Sequence, residues 1–195
     1  LGYRTPPNKI IYVDTGRCLG CHSCEIACAT AHSSASSVFE AAAMRGLHSR
    51  IHVVAVGGGS VPMQCRQCED APCAKVCPTG AMRQNDGHGA VSINEQSCIG
   101  CKLCTMVCPF GVVQVVNQPS VEGRTNGGVA SKCDLCTEWR EREGKQRTAC
   151  EESCATRAIR LVDLQEYRVA LVKARAAEIA AAHRNVRIAF DQETR

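Results

Sequence analysis

The chain has 195 residues with 23 Lys and Arg against 19 Asp and Glu, a formal charge of +4, and it holds 16 cysteines but only seven aromatic residues. So few aromatics leave a thin apolar core for one or two small domains, and a basic excess dispersed among acids, with no basic tract interleaved with aromatics, speaks against a nucleic-acid partner. No run of about 18 apolar residues occurs, so no membrane span is expected.

The cysteines fall into four quartets: Cys18, Cys21, Cys24, Cys28; Cys65, Cys68, Cys73, Cys77; Cys98, Cys101, Cys104, Cys108; and Cys133, Cys136, Cys150, Cys154. In every quartet the fourth cysteine follows the third after three residues, which is the spacing of the bacterial ferredoxin run. There, three close thiolates hold one iron-sulfur cubane and the fourth reaches a neighbouring cluster. Sixteen ligands at four per cubane predict four 4Fe-4S clusters. A ligating thiol is deprotonated, so four cores of about +2 and sixteen thiolates add about −8 and bring the loaded chain to about −4. The basic sequence is therefore a poor guide to partners. Because the ligands come from distant segments, metal binding should be coupled to folding.

In chain order, residues 1–17 (LGYRTPPNKIIYVDTGR) contain neither a secretory apolar region nor a twin-arginine pair. Dense unpaired thiols suit a reducing compartment, so a cytoplasmic location is expected; the start at Leu1 leaves a removed leader open. Beyond the first quartet, residues 38–47 read as helical, residues 50–56 alternate like a strand, and residues 57–60 (GGGS) read as a turn. The second and third quartets both end in Cys-Pro, at Cys77-Pro78 and Cys108-Pro109, where the fixed proline φ suits the first turn of a short helix. Between them Asp86-Gly87-His88-Gly89 signals a turn between two short strands. Residues 112–116 read as a strand followed by a Gly- and Asn-rich loop. The fourth quartet is stretched by a charged insert, TEWREREGKQRTA, read as a solvent-facing loop or helical turn. Residues 158–164 read as a strand, 166–183 as a strong helix and 186–190 as a terminal extended piece. The first and fourth quartets lack the proline, reading Cys28-Ala29-Thr30 and Cys154-Ala155-Thr156, and this shared departure suggests that they are partners.

Other readings fit less well. About 8% cysteine is the level of disulfide scaffolds, but those are short extracellular chains. Zinc would suit a pair such as Cys133 and Cys136, whereas triplets such as Cys98, Cys101, Cys104 suit a cubane better. His22, inside the first quartet, is surplus as a ligand. Arg17, Arg66, Lys75, Lys102 and Lys132 lie beside ligands, where they are placed to offset cluster charge. The glycines at 57–59 do not complete a dinucleotide fingerprint, no phosphate-binding loop occurs, and no thiol remains as a nucleophile. The chain reads as non-catalytic.

The segments CLGCHSCEIAC, QCRQCEDAPCAKVCPTGA, CIGCKLCTMVCPFGV, and KCDLC followed by ACEESC resemble the four-cluster electron-transfer subunits of bacterial redox complexes, over residues 9–164. The resemblance is strongest to the iron-sulfur protein associated with carbon monoxide dehydrogenase, the small subunits of formate dehydrogenases and formate hydrogenlyases, and those accompanying tungsten aldehyde oxidoreductases. It implies an α+β fold of two nested ferredoxin-like dicluster units with short strands, short helices and a C-terminal helix. The outer unit would span 9–36 and 125–164, the inner unit 61–118, with an insert at 37–60 and a helical extension at 165–195. The resemblance also implies ligand exchange: Cys18, Cys21, Cys24 with Cys154; Cys133, Cys136, Cys150 with Cys28; Cys65, Cys68, Cys73 with Cys108; Cys98, Cys101, Cys104 with Cys77. Family members often read CPTGA at the last ligand where this chain has Cys154-Ala155-Thr156-Arg157-Ala158, which puts the local helix start in doubt. The implied function is relay of single electrons between a catalytic subunit oxidising carbon monoxide, formate, hydrogen or an aldehyde and a redox partner such as a flavoprotein or ferredoxin. A free-standing polyferredoxin is the alternative. The C-terminal helix bears on that choice: it packs on its own core, on a partner, or on further copies of the chain in a wire.

Overall fold

A computed structural model describes residues 8–35, 37–43, 47–84, 90–116 and 128–193, with side chains as far as residue 184. The fold is α+β. In chain order the elements are β1 (Lys9–Val13), α1 (Ser23–Ala31), α2 (Val38–Ala43), β2 (Ile51–Val56), β3 (Gly59–Gln64), α3 (Pro72–Lys75), β4 (Met82–Gln84), β5 (Val91–Ile93), α4 (Leu103–Val107), β6 (Gln114–Val116), β7 (Val129–Ser131), α5 (Thr137–Arg142), α6 (Ala149–Glu152), β8 (Ile159–Asp163) and α7 (Leu164–Glu193).

Among the described residues the strands form four separate antiparallel pairs, and each pair ties two cysteine quartets together. β1 leads into the first quartet and β8 leaves the fourth; their register sets Ile11 against Leu161 and Val13 against Ile159. The hairpin β2–β3 connects the first quartet to the second. β4 leaves the second and β5 enters the third, with Met82 opposite Ile93. β6 leaves the third quartet and β7 enters the fourth, with Val115 opposite Ala130.

An isolated two-stranded ribbon is marginal in water, so these ladders need a core to lie on, and that core is unusual. Nine of the twenty-six buried apolar residues among those described are cysteines, and none is aromatic. One apolar cluster joins Ile11, Ile51, Val112, Leu135 and Ile159 to Cys24, Cys28, Cys65, Cys133 and Cys150. A second joins Met82, Val91, Val113 and Val129 to Cys73, Cys98 and Cys104. A buried polar seam crosses between them. Gln67 donates to the Cys133 carbonyl at 2.8 Å and accepts from Val91 N at 2.9 Å, and the Lys132 ammonium, 1% exposed, donates to the Val91 and Cys133 carbonyls.

Several sequence expectations change. Residues 186–190 are not extended: α7 runs through them to Glu193, because the Ala-rich run before Val186 propagates the helix at little cost and no Gly or Pro stops it. Neither Cys-Pro step opens a helix; Pro78 and Pro109 sit in turns closed by Gly80 N to Cys77 O at 3.2 Å and Gly111 N to Cys108 O at 3.2 Å. The helix read over 38–47 ends at Ala43 as described, the strand read over 112–116 begins at Gln114, and the charged insert contains the helix α5. The Asp86–Gly89 turn and the Gly- and Asn-rich loop lie outside the described residues. β1 was not foreseen.

Ile11 links the β1–β8 ladder to the cysteine-rich core and is 2% exposed. Ile11→Ala should cost about 2–5 kcal/mol, against within about 0.5 kcal/mol for Val54→Ala on the exposed face of the β2–β3 hairpin. Anaerobic denaturant titration of the holoprotein checks the difference.

Candidate metal centres

The backbone repeats one device in all four quartets. The residue just before the second cysteine has a positive φ each time: Gly20 at 67°, Gln67 at 50°, Gly100 at 66° and Leu135 at 62°. This left-handed step turns the Cys-x-x-Cys segment back so that its sulfurs face one point. Gln67 and Leu135 adopt it without glycine's freedom, at about 1–2 kcal/mol each, and both are buried in packing that holds them there. The first and third quartets share a further approach. A single 3-10 turn precedes Cys18 and Cys98, capped by Asp14 on Gly16 N and by Asn94 on Gln96 N, each at 3.1 Å. After the last cysteine of the second, third and fourth quartets the third residue is again left-handed: Gly80, Gly111 and, with φ 54°, Arg157. Arg157 N closes the same turn on Cys154 O at 3.1 Å. The CATRA segment therefore keeps the turn made by the two Cys-Pro-x-Gly segments, with no helix start.

These turns gather the sixteen cysteines into four sets. Cys18, Cys21, Cys24 and Cys154 line one cavity, walled by Val53, Pro62 and Ile159. Cys65, Cys68, Cys73 and Cys108 line a second, walled by Val91, Val112 and Val113. Cys98, Cys101, Cys104 and Cys77 line a third, walled by Met82, Ile93 and Val115. Cys28, Cys133, Cys136 and Cys150 are all buried, and Cys28 and Cys150 each act electrostatically on Cys133 and Cys136. All sixteen are free thiols, so no disulfide joins any pair.

Burial and hydrogen bonding sort the thiols. Burial, with the charges of Cys150 and Glu25, pushes Cys24 up to about 12. Burial, with Cys65, pushes Cys73 up to about 11, and burial does the same for Cys150. Cys133 and Cys136 are raised further by burial. Thiols this hard to ionise bind as thiolates only where a cation compensates them, so loading these sets releases protons. Three of the closing cysteines behave oppositely. Burial works against ionising Cys28, Cys77 and Cys154, yet hydrogen bonds hold all three below the ordinary thiol value. His32 lowers Cys28 most, with Arg50 N donating to its sulfur at 3.3 Å; Met82 N donates to Cys77 Sγ at 3.4 Å; and Thr156, 3.6 Å away, lowers Cys154 most, with Ala158 N donating at 3.2 Å.

Of the charged residues singled out beside the ligands, only Lys132 is buried. Its charge draws down the Cys68 and Cys73 thiols against their burial. Lys75 pairs with Asp70 at the surface, Arg66 lies 5.9 Å from the Phe110 ring, and Arg17 and Lys102 are exposed. His22 is exposed and faces Glu25 at 3.0 Å.

Sequence reasoning missed the group with the largest charge effect. His32 Nδ1 lies 2.8 Å from the Cys28 carbonyl and 3.7 Å from its sulfur, and Nε2 lies 2.9 Å from Asp134 Oδ1. A carbonyl and a carboxylate only accept, so both ring nitrogens carry protons and the side chain is an imidazolium. Burial would lower its pKa, but the bonds to Asp134 and Cys28 outweigh this and bring it up to about 10. Asp134 also takes Arg50 at 2.6 Å and Cys136 N at 2.9 Å. Burial would raise its carboxyl, yet His32 and Arg50 hold it well below the usual carboxylate range. The one sequence signal was position: Asp134 follows Cys133 directly, and His32 stands one helical turn beyond Cys28.

Asp134→Ala takes their shared counter-charge from two partly buried cations, leaving Arg50 only Glu95 at 3.9 Å, and should cost about 3 kcal/mol. The folded pKa of Asp134 is depressed, so its stabilisation is complete above the unfolded value of 3.8 and fades only as pH falls through the folded value. Because Asp134 is also what chiefly raises His32, its loss removes a protonation-linked stabilisation that is complete only below the free imidazole value of 6.5; anaerobic denaturation should therefore show a deficit at pH 5 at least as large as that at pH 7.

Comparison with known proteins places these features in context. Residues 58–164 match a family model described as a 4Fe-4S dicluster domain. The chain is 58% identical over 186 residues to an iron-sulfur protein of Rhodospirillum rubrum, covering 94% of this chain and 97% of that one. It is 42% identical over 167 residues to the putative oxidoreductase UacF of Escherichia coli strain K12, covering 84% of this chain but only 23% of that protein's length. It is 37% identical over 163 residues to the electron transport protein HydN of Escherichia coli strain K12, covering 80% of this chain and 89% of that one.

Proposed function

Because the chain belongs to the 4Fe-4S dicluster family, we propose that it is a four-cluster electron-transfer subunit that relays single electrons between a catalytic oxidoreductase and a redox partner. The observation that carries this reading is the row formed by the four cysteine sets, with its exposed members at the two ends. Cys24 of the first set feels the charge of Cys150 in the second. Cys133 of the second set is bonded through its carbonyl to Gln67, which lies between Cys65 and Cys68 of the third. Cys73 of the third set and Cys104 of the fourth share one apolar cluster. The order is therefore Cys18/21/24/154, Cys28/133/136/150, Cys65/68/73/108, Cys77/98/101/104. Exposed cysteines occur in the end sets alone, Cys21 in the first and Cys101 in the last.

The donor chemistry fits 4Fe-4S cubanes: four thiols per set, apolar walls, and backbone N–H groups aimed at sulfur. When bound, such clusters supply one-electron redox chemistry over a potential range set by charge, hydrogen bonds and exposure. The protein contributes a wholly buried set at Cys28, Cys133, Cys136 and Cys150, the His32 imidazolium beside Cys28 and the Lys132 ammonium near Cys68 and Cys73. Each terminal set presents an apolar residue directly after its first cysteine, Leu19 at 76% exposed and Ile99 at 58%. Two such patches suit two partners, one delivering electrons and one taking them.

Support for a catalytic partner comes from UacF, a putative oxidoreductase in which the matching segment is under a quarter of the length. HydN is named as an electron transport protein. No helix among the described residues is long and apolar enough to cross a membrane. A reducing compartment such as the cytoplasm suits sixteen free thiols. Oxidation of carbon monoxide, formate, hydrogen or an aldehyde is the reaction we assign to the catalytic partner; a flavoprotein or ferredoxin fits the acceptor. Two nested dicluster units, residues 9–36 with 125–164 and residues 61–118, describe the ligand exchange, and β1–β8 and β4–β5 are the ladders internal to them.

Anaerobic analysis should find about sixteen iron and sixteen sulfide per chain, as four cubanes require; stoichiometric zinc without iron rejects the reading. Cys154→Ser should alter the spectrum of the centre held by Cys18, Cys21 and Cys24 and leave the centre of Cys133, Cys136 and Cys150 unchanged. The reverse result would refute the ligand exchange.

Purified holoprotein should be reduced by its catalytic partner with substrate, and not by substrate alone. Leu19→Asp and Ile99→Asp should each slow electron exchange with a different partner roughly tenfold, about 1.4 kcal/mol of docking, with iron content unchanged. Identical effects of the two variants on the same partner would contradict a two-ended relay.

A further inference from the structure

A 4Fe-4S centre gains negative charge when it accepts an electron, and a protein favours that step through hydrogen bonds to sulfur, exposure to solvent or a nearby cation. Three of the four cysteine sets use hydrogen bonds. Ala158 N donates to Cys154 Sγ in the first set at 3.2 Å, Arg50 N to Cys28 Sγ in the second at 3.3 Å, and in the fourth Met82 N and Ala130 N donate to Cys77 Sγ and Cys98 Sγ, each at 3.4 Å. The first and fourth sets also have an exposed cysteine, Cys21 and Cys101. The third set, Cys65, Cys68, Cys73 and Cys108, has neither device. The amides of Cys68 and Ala74 act on its sulfurs without reaching hydrogen-bond geometry, and among the described residues no other N–H donates to them. None of its four cysteines is exposed. Charge is the device that remains.

Lys132 supplies it. Its ammonium donates to the Val91 and Cys133 carbonyls, and Val91 walls the third cavity alongside all four of that set's cysteines. The charge therefore stands behind that wall, where solvent ions screen it little. Among the described residues Lys132 has no carboxylate partner. The other charges nearby are balanced or open to water. Glu69 and Asp70, between Cys68 and Cys73, are exposed and paired with Arg168 and Lys75. Arg66 lines the same cavity but is only half-buried, with its guanidinium over the Phe110 ring. At the second set two cations meet two carboxylates: His32 and Arg50 both contact Asp134, and Arg50 lies 3.9 Å from Glu95.

We propose that Lys132 sets the reduction potential of the third centre, its buried charge standing in for the hydrogen bonds to sulfur that the other three sets have. The inference rests on the relay reading and deepens it. Lys132 acts through space and ligates nothing, so its role is to position the energy of one centre relative to its neighbours. Without that charge the third place in the row becomes a step that an electron must climb on its way between the two ends.

The test is an anaerobic redox titration of full-length holoprotein, each centre followed by its electron paramagnetic resonance signal. The third centre is identified as the one whose signal Cys68→Ser changes. Lys132→Met removes the charge, and Lys132→Gln does so while keeping a donor for the two carbonyls. Each should lower the reduction equilibrium constant of the third centre about tenfold or more, which for one electron is about 59 mV, with smaller shifts at the other three and iron content unchanged. Lys132→Arg, which keeps the charge, should hold the third centre near its original potential. Arg66→Gln should move the same centre less, because water screens a half-buried charge. The proposal is overturned if the third centre does not move in the neutral variants, if another centre moves more, if Lys132→Arg shifts it as far as they do, or if Arg66→Gln has the larger effect. Loss of iron from both neutral variants also overturns it, since Lys132 would then hold the fold and not the potential. Failure of the relay reading shows separately, as an iron count far from about sixteen in the unsubstituted protein.

Discussion

Cysteine sulfur occupies the place that aromatic side chains hold in most small domains. With nine buried cysteines and no buried aromatic among the described residues, the core is built in large part from the four thiol-lined sets. The backbone devices follow from this. Left-handed steps before the second cysteine bend each segment around a point, N–H groups aim at the closing sulfurs, and four two-stranded ladders hold the convergent segments in register. None of the ladders would persist alone; each is anchored where it enters or leaves a quartet. Thiols pushed up by burial and thiols drawn down by hydrogen bonds meet in the same set, which suits ligation by a cation that compensates the buried sulfurs.

Charge is arranged around that core with more economy than its abundance suggests. The exposed cations beside the ligands pair with surface acids or face solvent, where screening leaves them little effect. Two positive groups lie inside instead, the fully buried Lys132 ammonium at the contact of the second and third sets and the partly buried His32 imidazolium against Cys28. Both stand at the middle of the row, where solvent cannot stabilise added negative charge. His32 owes its charge to Asp134, and Asp134 owes its own to His32 and Arg50, so the three side chains act as one unit set on the most deeply buried quartet.

The family comparison and the site geometry carry different parts of the conclusion. Sequence identity extending over nearly the full length of the Rhodospirillum rubrum protein places the chain among iron-sulfur proteins. The geometry adds a gradient of exposure: one set, Cys28, Cys133, Cys136 and Cys150, is wholly buried, and the exposed cysteines, Cys21 and Cys101, lie in two other sets beside apolar neighbours.

The sequence by itself determined the composition of the site. Sixteen cysteines at ferredoxin spacing need no tertiary information to be read, because Cys-x-x-Cys segments bring their own sulfurs together through local turns. The strands at 51–56 and 159–163 were also legible, as short β-branched runs beside turn residues. The β1 strand was not, since it is short and pairs with β8 from the far end of the chain, a contact with no local trace. The extended piece expected at 186–190 became helix because cooperative propagation from the alanine run outweighs the β preference of Val186 and Ile188. Only tertiary structure decided that His32 and Asp134, 102 residues apart, share a proton-rich contact beside Cys28, and that Lys132 is buried while Lys75 and Lys102 are not. Burial and long-range pairing set those outcomes, and neither is encoded in the spacing of residues along the chain.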